Sequence, residues 1–205
     1  MEKINQLSQK QVWNNIASEW HEFKTSSGKA RGVEEFLNKQ YGNILDLGSG
    51  SGRNLQKIKN GKIFLIDFSE KMIRLAKQKA KKENIDAEFK VSDISKIPYK
   101  DNFFDAGICI ASIHCLETFQ KREKTIKELY RVLKAQAQVL VAVWNIDSKR
   151  FKNSPKEKCI SWRNKGKRFY YLFDKEEIYN LFKKAGFKIK QEIESDVNIT
   201  FIAEK

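Results

Sequence analysis

The sequence predicts an α/β fold: a doubly wound, mostly parallel seven-stranded sheet that ends in a C-terminal antiparallel hairpin. Three observations predict it. Short apolar runs rich in β-formers alternate with amphipathic helical segments from residue 40 to 146, as in a parallel sheet covered by helices on both faces. A glycine-rich loop directly follows the first of those runs, where open α/β sheets hold ligands beyond the carboxyl ends of their strands. The last two apolar runs lie close enough together to pair as a hairpin.

Taken in order, a helical stretch over about residues 8 to 39 opens the chain. YGNILDL (41–47) reads as a buried strand, and Asn54 to Lys59 as a helix after the glycine loop. KIFLIDF (62–68) is the second strand, followed by the helix SEKMIRLAKQKAKKEN (69–84) with an exposed lysine face. AEFKVSD (87–93) and FFDAGICIA (103–111) are the third and fourth strands, REKTIKELYRVLK (122–134) a helix, and QVLVAVWN (138–145) the fifth strand. After a basic stretch comes the helix DKEEIYNLFKKAG (174–186), whose Asp174 is placed to cap its N-terminus. FKIKQEIES (187–195) and NITFIAEK (198–205) form the closing hairpin. The whole chain, 1–205, reads as one domain with four parts: a helical cap (1–39), a cofactor-binding core (40–146), a basic substrate-side insertion (147–172) and a C-terminal helix and hairpin (173–205).

Composition excludes several classes. A chain of 205 residues with 40% hydrophobic and 32% charged residues can bury a core without staples. No run approaches the roughly 18 apolar residues of a membrane span. The polar opening MEKINQLSQKQVWNN lacks the apolar stretch of a signal peptide. Cys109, Cys115 and Cys159 are odd in number and lack C-x-x-C spacing, so neither a disulfide framework nor a metal site is expected. A reduced, cytoplasmic protein is the plain reading. The net charge of +14 favours a polyanionic partner, against the bland alternative of a lysine-rich bias.

The informative segment is Asp46-Leu47-Gly48-Ser49-Gly50-Ser51-Gly52. Glycines there let the backbone approach a ligand closely. A dinucleotide fingerprint would require glycine where Arg53 stands, and a phosphate-cradling Walker loop would require Gly-Lys-Ser/Thr. An acid opening the loop suits a ligand with a cationic amino-acid end, such as S-adenosylmethionine, better than a pyrophosphate. Asp67 ends the second strand, where a carboxylate can accept ribose hydroxyls. Asp93 follows the third strand and can accept from an adenine amino group, with Met72 and Ile94 about the ring. Each acid singly has the plainer reading of a cap or turn former.

These residues resemble class I S-adenosylmethionine-dependent methyltransferases, which are Rossmann-like. The ordered set is ILDLGSGSG, LIDFSEKMI, VSDISKIPYKDNFFD, ELYRVLK and VLVAVWN. More narrowly, VWNNIASEWHEF, SIHCLET, RFYYLFDKEEI and the late Asp196-Val197-Asn198 resemble the tRNA wobble-uridine methyltransferases that esterify 5-carboxymethyluridine. The resemblance implies that Trp13, Asp46, Gly48, Ser49, Gly50, Gly52, Asp67, Phe68, Met72, Asp93, Ile94 and Ala111 bind the cofactor. It implies a substrate side formed by Arg53, His114, Arg168 and Tyr170, a tRNA partner, and a small zinc-binding activator protein. Ala135-Gln136-Ala137 departs from the family's Pro-Gly-Gly turn, which puts local stability in doubt, and Cys115 replaces its second histidine.

A carboxylate nucleophile is ionised at neutral pH and needs no general base. The sequence has only two histidines, His21 and His114, and shows no nucleophile–base arrangement. Arg168 or Arg53 is expected to orient the substrate carboxylate through a forked contact. His114 has an equally good reading as a hydrogen-bonded structural residue. Trp13 and Trp20, on one helical face, read first as core-facing, with Trp13 also a candidate lid.

From Lys149 to Arg168 nine Lys or Arg face the single acid Glu157, with Phe151, Trp162 and Phe169 interleaved or adjacent. Lys149, Arg150, Lys152, Arg163, Lys165, Lys167 and Arg168 are therefore expected to meet RNA phosphates and bases. The alternative functions are a small-molecule methyltransferase and a non-catalytic RNA-binding protein that keeps the fold.

Overall fold

The computed structural model describes residues 7–205. Residues 1–6, which include the start of the stretch read as lacking a signal peptide, lie outside the described residues. No helix among the described residues is long and apolar enough to cross a membrane.

Seven strands form one sheet: β1 (Tyr41–Leu47), β2 (Lys59–Asp67), β3 (Ala87–Val91), β4 (Phe104–Ile110), β5 (Leu133–Trp144), β8 (Lys188–Ile193) and β9 (Asn198–Glu204). Their order is β3-β2-β1-β4-β5-β9-β8. The first five strands pair in parallel, and β9 runs antiparallel to both β5 and β8. The sheet reverses direction of winding at β1/β4, so the loops after β1 and β4 open a crevice at the carboxyl edge.

Both faces are covered. Helix α2 (Val33–Asn38) brings Val33, Phe36 and Leu37 against Ile44, Ala106, Ile108 and Leu140. On the same face α3 (Glu70–Lys82) packs Ile73, Ala76 and Ala80 on Ile63 and Leu65. Helices α4 (Phe119–Val132) and α5 (Lys175–Lys184) bury Ile126, Leu129, Ile178 and Phe182 against the alternate residues Leu45, Leu47, Val139 and Val141. Alternation of side chains along each strand is what allows both layers to exist. Asp174 caps α5 as expected, accepting from the Glu177 N–H.

Four local expectations require correction. The N-terminal stretch is two helices, α1 (Gln9–Thr25) and α2, because Gly28 and Gly32 between them take left-handed backbone conformations. No helix forms over Asn54–Lys59: a turn runs to Asn54, an open segment follows, and β2 begins at Lys59. The turn through Asn54 leaves only residues 55–58 before β2, too few for a helix, and Lys79 from α3 donates to the Gly52 and Arg53 carbonyls. The Ala135-Gln136-Ala137 segment makes no turn, because β5 starts directly at Leu133. Gln136 takes φ +65 where a glycine would be at ease, and its N–H donates to Lys205 O while Lys205 N–H donates to Ala137 O. Pairing with the chain's last residue thus stands in for the missing glycine turn. Finally, the basic stretch is a two-stranded hairpin, β6 (Glu157–Ser161) with β7 (Lys167–Tyr171), whose tip folds onto α1.

Candidate active site

A cavity of about 450 Å³ opens beyond the carboxyl ends of β1, β2, β3 and β4, within the range usual for small-molecule sites. Its lining includes Trp13, Gly48, Ser49, Gly50, Asp67, Phe68, Met72, Asp93, Ile94 and Ala111, as well as Arg53, His114 and Tyr170. Three expected site residues are not part of that wall: Asp46, Gly52 and Arg168.

The glycine loop shows what each position does. Gly50 has open space on its Cβ side, so bare backbone is presented to the cavity. Its N–H donates to Asp67 Oδ2 at 2.9 Å, while Ser69 N–H donates to Asp67 Oδ1 at 2.9 Å. Gly48, at φ +74, leaves room for Ser112, whose hydroxyl donates to the Gly48 carbonyl. Gly52 is held by packing rather than by a ligand, since a Cβ there would fall 2.6 Å from Leu55 Cδ1.

Two carboxyls lie buried with no cation hydrogen-bonded to either. Burial first, then the neighbouring charge of Asp67, pushes the Asp46 carboxyl up to about 8; Lys79 offsets part of this. Burial raises Asp67 to about 6, opposed by the backbone N–H groups of Ser69, Gly50 and Phe68. Asp46 Oδ2 and Ser49 Oγ are buried without any partner. Unsatisfied buried polar groups are costly. Ser49 and Asp67 line the cavity, where a cationic, hydroxyl-rich ligand would meet them, while Asp46 lies behind that wall and is not placed for the direct ligand contact expected of it. The donor set therefore fits S-adenosylmethionine, with its ammonium, sulfonium and ribose. Asp93 is exposed and holds a turn by accepting from Ser95 N–H, which leaves Oδ2 for an adenine amino group.

The other half of the cavity is aromatic and cationic. His114 Nδ1 accepts from Trp144 N–H at 2.9 Å, so the ring proton sits on Nε2. Burial, then the charge of Lys24, holds His114 down at about 3. His114 stacks on Trp144 at 5.0 Å, and Trp144 stacks on Tyr170 at 4.1 Å. Across a titration from pH 8 to 5, His114 is expected to remain the neutral Nε2–H tautomer in a nitrogen-15 spectrum. A protonation step near pH 6.5 would contradict the geometry. Because its folded-state pKa is depressed, folding stability should weaken as pH falls below about 6.5 toward 3, as the unfolded imidazole takes up a proton.

Arg168 lies behind the cavity rather than on it. It is 6% exposed, donates from Nη1 to Tyr170 Oη at 2.7 Å, and its Nε has no partner. Its guanidinium sits about 5 Å from the ring centres of Trp20 and Trp162. The expectation that it meets an RNA phosphate fails for this reason, because a buried guanidinium caged by indoles faces no solvent. Arg53 lines the cavity but spends Nε on Gly28 O and Nη2 on Lys29 O, pinning the segment after α1. Arg163 and Lys165 are turned to Glu19 on α1. Lys149, Arg150, Lys152 and Lys167 are exposed as expected.

Sequence reasoning missed Lys24, Trp20, Cys115 and Trp144, all of which line the cavity. Trp13 and Trp20 are not core residues: they meet edge to face at 5.2 Å and roof the cavity. Lys24 lies one helical turn beyond Trp20, with its ammonium 4.8 Å from the Trp20 ring centre. That i, i+4 spacing on α1 was the available signal.

The fold and this cavity define the class of S-adenosylmethionine-dependent methyltransferases. The family described as Methyltransferase domain matches residues 38–186, and the chain belongs to it. Among curated relatives, a tRNA (carboxymethyluridine(34)-5-O)-methyltransferase of Arabidopsis thaliana is 39% identical over 103 residues, covering 49% of this chain and 24% of that protein. The probable tRNA methyltransferase 9B of Homo sapiens is 29% identical over 162 residues, covering 77% of this chain and 34% of that protein. The chain thus spans about a quarter to a third of the length of these relatives. A solved S-adenosylmethionine-dependent methyltransferase from Methanosarcina mazei superposes with a TM-score of 0.70 at 22% identity, over 86% of this chain and 98% of that one. The [4+2]-cyclase SpnF superposes at 0.75 with 16% identity, over 98% and 96%. Such distant likeness shows the fold alone, and SpnF illustrates that the fold hosts more than one reaction.

Proposed function

We propose that the protein esterifies the carboxymethyl group of a wobble 5-carboxymethyluridine in tRNA. The observation that carries this reading is the unbalanced positive charge at the substrate side. Lys24 lies within electrostatic range of Arg53, Arg150 and Arg168, and burial, reinforced by those three, lowers it to about 8. Among the described residues none of these four cations is ion-paired to a carboxylate. An anionic acceptor would compensate them; a neutral one would not.

The methyl donor supplies an electrophilic methyl on a sulfonium. Tyr170 is held protonated by burial, and its Oη already accepts from Arg168, so its own O–H is left to donate to the substrate carboxylate. Lys24 neutralises that carboxylate, while Trp13 and Trp20 shut water out. Orientation of this kind can contribute roughly 7–11 kcal/mol. Neutral His114 suits a reaction that needs no base. Asp67, Asp93 and the glycine loop hold the cofactor, and the names of the Arabidopsis and human relatives support a tRNA substrate. Exposed Lys149, Arg150, Lys152 and Lys167 would meet its backbone, and a small zinc-binding activator completes the proposal.

The test incubates the protein and labelled S-adenosylmethionine with tRNA pools that contain or lack 5-carboxymethyluridine, followed by nucleoside mass analysis. Labelled ester is expected in the first pool alone. Label in neither pool, in the presence of a zinc-binding activator and with cofactor binding demonstrated, would refute the reading in favour of a small-molecule acceptor.

A further inference from the structure

A second cavity of about 440 Å³ lies beyond Arg53, outside the cofactor site. Lys24, Lys29, Arg53, Lys57 and Lys79 line it, against the one lining acid Glu83. Lys24 and Arg53 line both cavities, so the two are neighbours across that pair. We infer that this groove holds phosphodiester groups of the RNA strand that carries the target nucleotide; the inference rests on the RNA reading above.

Three observations point there. First, the charge is fixed rather than dispersed: Arg53 is anchored to Gly28 O, Lys79 to Gly52 O and Lys29 to Gln56 Oε1, which orders the rim. Second, that charge is largely uncompensated. Lys29 pairs with Glu34 at 3.6 Å, and Glu83 and Asp46 act on Lys79, but Lys24 and Arg53 form no ion pair among the described residues. Lys57 is exposed and makes no hydrogen bond or ion pair among the described residues. Third, continuity gives the groove a purpose. A nucleotide whose modified base enters the first cavity leaves its backbone outside, and the shared Lys24–Arg53 pair leads to a basic surface. Part of the charge on the β6–β7 hairpin is already engaged, since Arg163 and Lys165 share the single carboxylate of Glu19 and Lys156 pairs with Asp174 and Glu177. Phosphates are the natural complement of such a groove, and binding through them is sequence-independent and steeply sensitive to salt.

The experiment measures binding of an unmodified anticodon stem-loop RNA by fluorescence anisotropy at several salt concentrations. Lys57→Glu is compared with Lys81→Glu, an equal charge change on the exposed face of α3 outside the groove. Both positions are exposed, and thermal melting checks that both variants fold. Lys57→Glu is expected to weaken binding severalfold at low salt and to lower the slope of log affinity against log salt by about 1, with Lys81→Glu changing neither appreciably. If the two variants behave alike while the wild type binds RNA, the groove is not the phosphate site and the RNA reading stands. If the wild type binds no RNA even at low salt with the zinc-binding activator present, both fall. Because the probe lacks the carboxymethyl group, binding through the groove also stands independently of which atom is methylated.

Discussion

Asp67→Asn is expected to weaken binding of S-adenosylmethionine, or of its demethylated product, by at least roughly a hundredfold in calorimetric titration. The carboxylate accepts Gly50 N–H through one oxygen and Ser69 N–H through the other, both at 2.9 Å. An amide can satisfy only one of those donors; its NH2 must face the other. Losing one hydrogen bond to a charged group costs about 1.5–3 kcal/mol, which is already roughly tenfold to more than a hundredfold. Loosening of Gly50 and loss of a ribose acceptor add to it. The pH dependence separates this role from mere loss of stability. Burial raises the wild-type carboxyl to about 6, so wild-type affinity should fall as pH drops through 6 and the group protonates. The Asn variant has no such group and should show a flat profile there. An Asn variant that binds within threefold of wild type would remove Asp67 from the cofactor site.

Arg168→Lys is expected to lower kcat/KM about tenfold to a hundredfold while leaving cofactor affinity unchanged, as is Tyr170→Phe. The guanidinium acts through Tyr170: Nη1 donates to Oη, which frees and polarises the phenol O–H. Lysine retains charge but cannot lie flat between the Trp20 and Trp162 rings and still reach Oη. On the proposed function Arg168 is a positioning residue, and the discriminating readout is the double variant. If the two residues work as one unit, Arg168→Lys/Tyr170→Phe should lose little more activity than either single change. Fully additive losses would mean that Arg168 serves only to pack the indoles.

Most of the fold was legible because local rules dominate it. The apolar run of β1 and its seven residues coincide with the expectation, as do Asp174 as a cap and the β8–β9 hairpin. The errors share a cause. The helix expected at Asn54–Lys59 is absent because β2 already begins at Lys59, and Lys79, distant in sequence, donates to the Gly52 and Arg53 carbonyls before it. The Ala135-Gln136-Ala137 segment is stable because Lys205 pairs with it. The hairpin within the basic stretch was hidden because EKCIS carries little apolar signal, and its tip is fixed by Glu19 on α1.

The sequence by itself determined the order of the strands' roles, the glycine loop and the positions of Asp46, Asp67 and Asp93, since periodicity and loop chemistry are written in neighbouring residues. Only the tertiary structure decided which cations face the cavity. It buried Arg168 behind Tyr170, committed Arg53 to backbone carbonyls, turned Arg163 and Lys165 to Glu19, and brought Lys24 to the cavity. The reason is physical: a charge's role depends on what lies within a few ångströms of it, and those neighbours come from segments far apart along the chain.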